Sequence, residues 1–159
     1  MSNTDSILSS EKERYMYMAL ALADEAAAAG EVPVGCVVVQ GDRIIGRGRN
    51  RREEEHSALA HAEMDAIREA CAVLGDWRLG DCGLSVTLEP CPMCAGAILN
   101  ARVKWLCFGA RDSKTGSCGS VLNLFEENYG YRPAIYGGVL EAECLERMQA
   151  FFRGLRKAD

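Results

Sequence analysis

The chain has 159 residues, 48% of them hydrophobic and 26% charged, with a formal net charge of −5. That length favours one domain, spanning 1–159, with a core large enough to need no covalent staples. No apolar run approaches the roughly eighteen residues that cross a membrane, and the acidic balance argues against a generic nucleic-acid coat.

The polar opening MSNTDSILSSEKER lacks the basic-then-apolar pattern of a secretory signal, so a cytoplasmic protein is expected, with residues 1–10 as a flexible lead-in. SEKERYMYMALALADEAAAAG then predicts a helix. Ser10 and Glu13 would form a capping box, Met18, Leu22 and Ala26 fall on one face with Tyr15 and Ala19, and Gly30 ends it. VGCVVVQ reads as a buried strand, Gly41-Asp42 as a two-residue turn, and RIIGRGRN as the returning hairpin strand. Residues 51–60 read as a loop, and HAEMDAIREACAVLG as a second helix stopped by Gly75. DCGLSVTLEP predicts a third strand, and PCPMCAGAILNARV a helix opened by prolines where a helix tolerates them. KWLCFGAR predicts a fourth strand, followed by the loop DSKTGSCGS and a short helical or irregular piece. AIYGGVL is a candidate fifth strand, and EAECLERMQAFFRGLRK closes as an amphipathic helix with Leu145, Met148 and Phe152 on one face. Helices alternating with strands point to an α/β chain: a three-layer α/β/α sandwich around a mixed five-stranded sheet.

Charge is unevenly spread. Arg43, Arg47, Arg49, Arg51 and Arg52 cluster within RIIGRGRNRR, Glu53, Glu54 and Glu55 follow directly, and the tail FFRGLRK is basic again. A solvated, self-neutralising loop explains the first cluster, yet two basic patches on an acidic chain also suit a small nucleic-acid footprint.

Eight cysteines occur, most of them inside apolar runs such as GCVVV and WLCFG, where they read as buried free thiols. Cys91 and Cys94 differ, because Cys-x-x-Cys at the start of a helix has a spacing that suits chemistry. A disulfide there conflicts with the expected compartment and with helical geometry. A redox pair is compatible with a helix start, which lowers a thiol pKa, and a closed structural zinc site lacks its second ligand pair. Two buried, unreactive thiols remain the plainest alternative.

Only two histidines exist, and one of them, His61, opens a helix as His61-Ala62-Glu63. In an α/β sheet such helix starts gather at the carboxyl ends of strands, where sites form, and a helix N-terminus favours thiolate over thiol. His61, Cys91 and Cys94 would supply three ligands, which leave tetrahedral zinc an open position. Zinc makes water acidic enough to ionise near pH ~7. Glu63, beside the metal but not on it, suits a group that moves protons between water, a ring nitrogen and leaving ammonia. His-x-Glu followed by Pro-Cys-x-x-Cys is the signature of zinc nucleobase deaminases.

With those residues in hand, the sequence closely resembles the bacterial tRNA-specific adenosine deaminases of the cytidine-deaminase-like superfamily, from about Tyr15 to Lys157. The resemblance rests on EVPVG, the Gly-x-Asn ending at Asn50, AHAE, TLEPCPMCAGAI, FGARDSKTGSCGS and the closing FFRxxR. It implies a cytidine-deaminase-like fold and hydrolytic conversion of adenosine to inosine at the wobble position of a tRNA anticodon. It also implies one zinc ion per chain, a tRNA anticodon stem-loop as partner, and a homodimer. By motif position, His61, Cys91 and Cys94 would hold zinc and Glu63 would shuttle protons. Asn50 would hydrogen-bond the flipped-out nucleotide, although a turn residue bonding its own backbone accounts for it equally. Val34 and the Ala62 backbone would border the base, and Asp112 would lie near the ribose. Lys114, Arg153 and Arg156 would touch RNA. The chain departs from the pattern at Ser57-Ala58-Leu59, where relatives often carry a proline-containing triplet. A free-base or nucleoside deaminase acting on guanine, cytosine or cytidine would share the zinc, the glutamate and the fold, and a zinc-stabilised or redox binding protein would share only the ligands. Cys118 is expected to do no more than pack.

Overall fold

The computed structural model describes residues 3–158, with the side chains of 9–157. Five strands form one sheet in the order β2-β1-β3-β4-β5: β1 Gly35–Gln40, β2 Arg43–Arg49, β3 Cys82–Leu88, β4 Trp105–Ala110 and β5 Ala134–Gly137. β1 runs antiparallel to both β2 and β3, whereas β3, β4 and β5 run parallel, so the sheet is mixed as expected. The tight β1–β2 turn falls at Gly41, whose φ of +63° lies in the left-handed region that glycine enters at little cost.

Strand alternation divides the core between two faces. Cys36 and Val38 of β1, Leu84 and Val86 of β3, and Leu106 and Phe108 of β4 pack with α2 (Ala62–Leu74) and α3 (Pro92–Ala101). The intervening Val37, Val39 and Cys107 turn to the other face, where α1 (Asn3–Ala28) and α4 (Glu141–Ala158) lie. Full burial of Phe108, Leu84 or Leu106 stabilises the fold by roughly 1.5–3 kcal/mol each.

Two expectations for α1 change. The helix begins at Asn3, so Ser10 sits within it and caps nothing. Its buried stripe is Tyr15, Met16, Ala19, Leu20, Ala23 and Ala26, while Met18 is exposed. In so apolar a helix the sequence allows more than one stripe, and the sheet selects the one that fits. The expected flexible lead-in over 1–10 falls partly on residues 1 and 2 and on side chains 3–8, outside the described residues.

Two glycines on β2 set the distance between sheet and helix. A Cβ on Gly46 would sit 2.1 Å from the Ala66 carbonyl oxygen, and one on Gly48 would sit 2.0 Å from that of Ala62. Because neither has a side chain, α2 lies directly on the strand. Its N-terminus is thereby held at the sheet edge where β3 and β4 end.

Candidate active site

At that edge four chain segments meet. β3 and β4 run parallel and leave the sheet at Leu88 and Ala110, while β1 enters and β2 leaves beside them, at Val34 and Asn50. The N-termini of α2 and α3 point to the same place, with His61 and Cys91 as their N-cap residues. Neither side chain caps its own helix. Both turn instead into a cavity of about 440 Å³, a size that suits a small ligand.

His61 Nδ1 lies 3.6 Å from Cys91 Sγ and 3.5 Å from Cys94 Sγ, and the three donor atoms fall within 4.8 Å of one another. Tetrahedral zinc, with bonds of about 2.3 Å to sulfur and about 2.0–2.1 Å to nitrogen, separates those donors by about 3.6 Å. The donor set fits zinc. All eight cysteines are free, which removes the disulfide reading of the Cys91–Cys94 pair.

The charges of the cluster are interdependent. Hydrogen bonding to the Cys94 thiol brings the Cys91 thiol down to about 4, and the His61 imidazole adds to this against the effect of burial. Cys94, the other side of the same bond, is driven up by that bond and then by burial. The hydrogen bond to Cys91 also raises His61. Glu63, 4% exposed beneath the cluster, is pushed up to about 7 by burial, against its own backbone hydrogen bond and the positive charge of His61. A carboxylate near neutrality can both take and return a proton.

Val34, Asn50, Ala62, Asp112 and Lys114 all line this cavity with His61, Glu63 and Cys91. Cys94 is buried behind them. Asn50 makes the backbone bonds of a turn residue: its Oδ1 accepts from the Arg52 amide at 3.1 Å and its Nδ2 donates to the Val32 carbonyl at 3.4 Å. Asp112 is similarly engaged, accepting from the Lys114 and Thr115 amides at 2.9 and 3.2 Å and from the Thr115 hydroxyl at 2.8 Å. Arg153 and Arg156 lie outside the cavity but line a groove along α4 that begins at Lys114. Leu145 and Phe152, expected as part of an apolar stripe, line cavity and groove and remain exposed, while Met148 of the same stripe packs on the core.

Sequence reasoning passed over Glu31 and Glu89 here, and placed Arg52 only in the basic cluster. Arg52 and Glu89 line the cavity, and Glu31 is buried beside the loop that follows Asn50. The glutamates stand within EVPVG and TLEP, so motif membership was the available signal. Their burial was not legible from it. At the departure Ser57-Ala58-Leu59, Ser57 Oγ accepts from the Leu59 amide at 3.1 Å, so a side-chain turn supports the chain ahead of His61.

Residues 10–156 match the MafB19-like deaminase family. The chain is 49% identical over 148 residues to the tRNA-specific adenosine deaminase of Bacillus subtilis (strain 168), covering 92% of each. The chain belongs to the tRNA-specific adenosine deaminase family. The enzyme of that name from Streptococcus pyogenes serotype M18 is 44% identical, across 90% of this chain and 91% of its own. Among solved structures, a tRNA deaminase studied for A-to-I editing at the wobble position superposes with a TM-score of 0.81. It shares 42% identity and covers 84% of this chain and 98% of its own. A guanine deaminase from Bacillus subtilis shares 44% identity but covers only 62% of this chain and 64% of its own, with a TM-score of 0.60. The Bacillus subtilis tRNA-specific adenosine deaminase thus matches 92% of this chain, and the guanine deaminase of the same organism 62% of it.

Proposed function

We propose that this chain is a cytoplasmic zinc enzyme that hydrolyses adenosine to inosine, releasing ammonia, at the wobble position of a tRNA anticodon. The observation that carries the reading is the buried carboxylate of Glu63 beneath the His61–Cys91–Cys94 donor set, at the floor of a cavity of about 440 Å³.

His61, Cys91 and Cys94 would hold one zinc ion per chain, which as a Lewis acid makes water acidic enough to ionise near neutral pH. Glu63 takes a proton from the attacking water and passes it to the ring nitrogen next to the amine-bearing carbon. Once oxygen has bonded to that carbon, Glu63 carries the second water-derived proton to the departing amine, which leaves as ammonia. Val34 and Ala62 border the base, Asn50 offers its amide to the nucleotide, and Asp112 stands by the ribose. An adenosine in a stacked loop has to turn out of its stack to reach Glu63. Lys114, Arg153 and Arg156, all exposed, would meet the phosphates on either side. A second copy of the chain would complete the RNA surface as a homodimer.

The test is incubation with an adenosine-bearing anticodon stem-loop followed by nucleoside analysis for inosine, with metal content measured in protein purified without chelator. Inosine and about one zinc per chain are expected. Product from guanine, cytosine, cytidine or free adenosine, with none from the RNA, would instead establish a free-base or nucleoside deaminase.

A further inference from the structure

We infer that Glu31 and Glu89 are a pair of positioning residues: each buried carboxylate pins one of the two loops that form the cavity rim, and together they set how tightly the RNA adenosine is held. The inference rests on the RNA-adenosine reading above.

Glu31 is 1% exposed and Glu89 2%. Among the described residues neither takes part in an ion pair. Backbone donors satisfy them instead. The Glu31 oxygens accept from the Glu53 amide at 3.0 and 3.1 Å and from the Glu54 amide at 3.0 Å. Glu89 Oε1 accepts from the Asp112 amide at 3.1 Å and from the Ser120 hydroxyl, and its Oε2 accepts from the Cys118 and Ser120 amides at 3.0 and 3.1 Å. A buried carboxylate stripped of its donors is costly, so a loop that supplies most of them cannot lift away without leaving a charge stranded.

The two loops are the ones the substrate must pass. Glu53 and Glu54 follow Arg52 on the loop between Asn50 and His61, and that loop is closed where the Arg51 amide meets the Ala60 carbonyl at 2.9 Å. Asp112, Cys118 and Ser120 span the other loop, which presents Asp112, Lys114 and Thr115 to the cavity. That loop wraps its anchor so closely that a Cβ on Gly116 would stand 2.4 Å from the Glu89 carboxyl carbon. Cys91 and Cys94 stand at the start of α3, and the Glu89-anchored loop carries no donor. The Glu31-anchored loop runs into His61 but is closed ahead of it by the Arg51–Ala60 bond. Pinning should therefore act on substrate hold rather than on metal retention.

The isosteric amide is the discriminating change, because it puts an NH2 group against backbone N–H donors at unchanged volume. Glu89→Gln and Glu31→Gln are measured with the wobble-adenosine stem-loop for KM and kcat, for zinc content, and by amide hydrogen exchange. Each variant is expected to keep its zinc and to raise KM about tenfold while kcat moves far less. Exchange should quicken at residues 112, 118 and 120 in Glu89→Gln alone, and at 53 and 54 in Glu31→Gln alone. An unchanged KM, a fall in kcat at constant KM, or exchange quickened equally at both loops overturns the inference. If Glu89→Gln does not fold, Ser120→Ala decides, since it removes one donor from the rim: about a threefold rise in KM is expected, and an unchanged KM refutes the pinning. Failure of the wild-type enzyme to make inosine would sink the RNA reading instead, and the loop-specific exchange result would still decide whether the carboxylates pin their loops.

Discussion

Replacing Gly48 with alanine tests whether the closeness of β2 and α2 holds the proposed metal site together. The new Cβ would stand 2.0 Å from the Ala62 carbonyl oxygen and 2.8 Å from the Ala66 amide nitrogen. Ordinary contact begins near 3.4 Å, so strand and helix have to separate by about 1.4 Å at that point. The obstructing atoms are backbone, and no rotamer change relieves them. The cost therefore falls at the upper end of the overpacking range, about 3 kcal/mol, which for a chain of this size lowers Tm by roughly 6–12 °C. The strain acts one residue from His61, whose Nδ1 has to stay within 3.5–3.6 Å of two sulfurs. Zinc should therefore leave the variant faster than it leaves the wild type. Differential scanning calorimetry and release of zinc to a chromogenic chelator read the two effects. A variant with wild-type Tm and wild-type release rate would show that the helix is not seated on the strand as described.

The opposite outcome is expected at Gly96, in the middle of α3, where a Cβ meets nothing within 4 Å: Gly96→Ala should stabilise the protein by up to about 1 kcal/mol in chemical denaturation. Glu63→Gln should keep about one zinc per chain while inosine formation falls at least ~100-fold, and a variant with more than a tenth of wild-type rate would remove Glu63 from proton transfer. Arg153→Ala and Arg156→Ala should each weaken stem-loop binding and reduce the salt slope of log K by about one, and a slope unchanged in both would take the α4 groove out of the RNA surface.

Much of this was legible in one dimension because the governing physics is local. The β1–β2 hairpin followed from a β-branched run, Gly41-Asp42 and a second run, and both site helices were legible from a helix-start residue and an apolar period. His61, Glu63, Cys91 and Cys94 were legible for another reason: metal ligation and proton transfer admit few residue types, and the chain spaces them as a recognised signature. The Ser10 cap failed because a capping box is only a four-residue pattern, Ser10 to Glu13, and α1 runs from Asn3 straight through it.

Taken alone, the sequence determined the alternation of helices and strands and the family, and it picked out the residues proposed as metal donors and proton carrier. Tertiary structure decided what depends on contacts between distant segments. The sheet chose the buried stripe of α1. Gly46 and Gly48 set the height of α2 and brought its first residues to the strand ends. Glu31 and Glu89 acquired their loops only when residues more than twenty positions away folded over them. A carboxylate in a sequence carries no sign of whether water or a ring of backbone amides will surround it. That difference in solvation exists only in the fold, and here it separates two surface-looking glutamates from two anchors of the cavity rim.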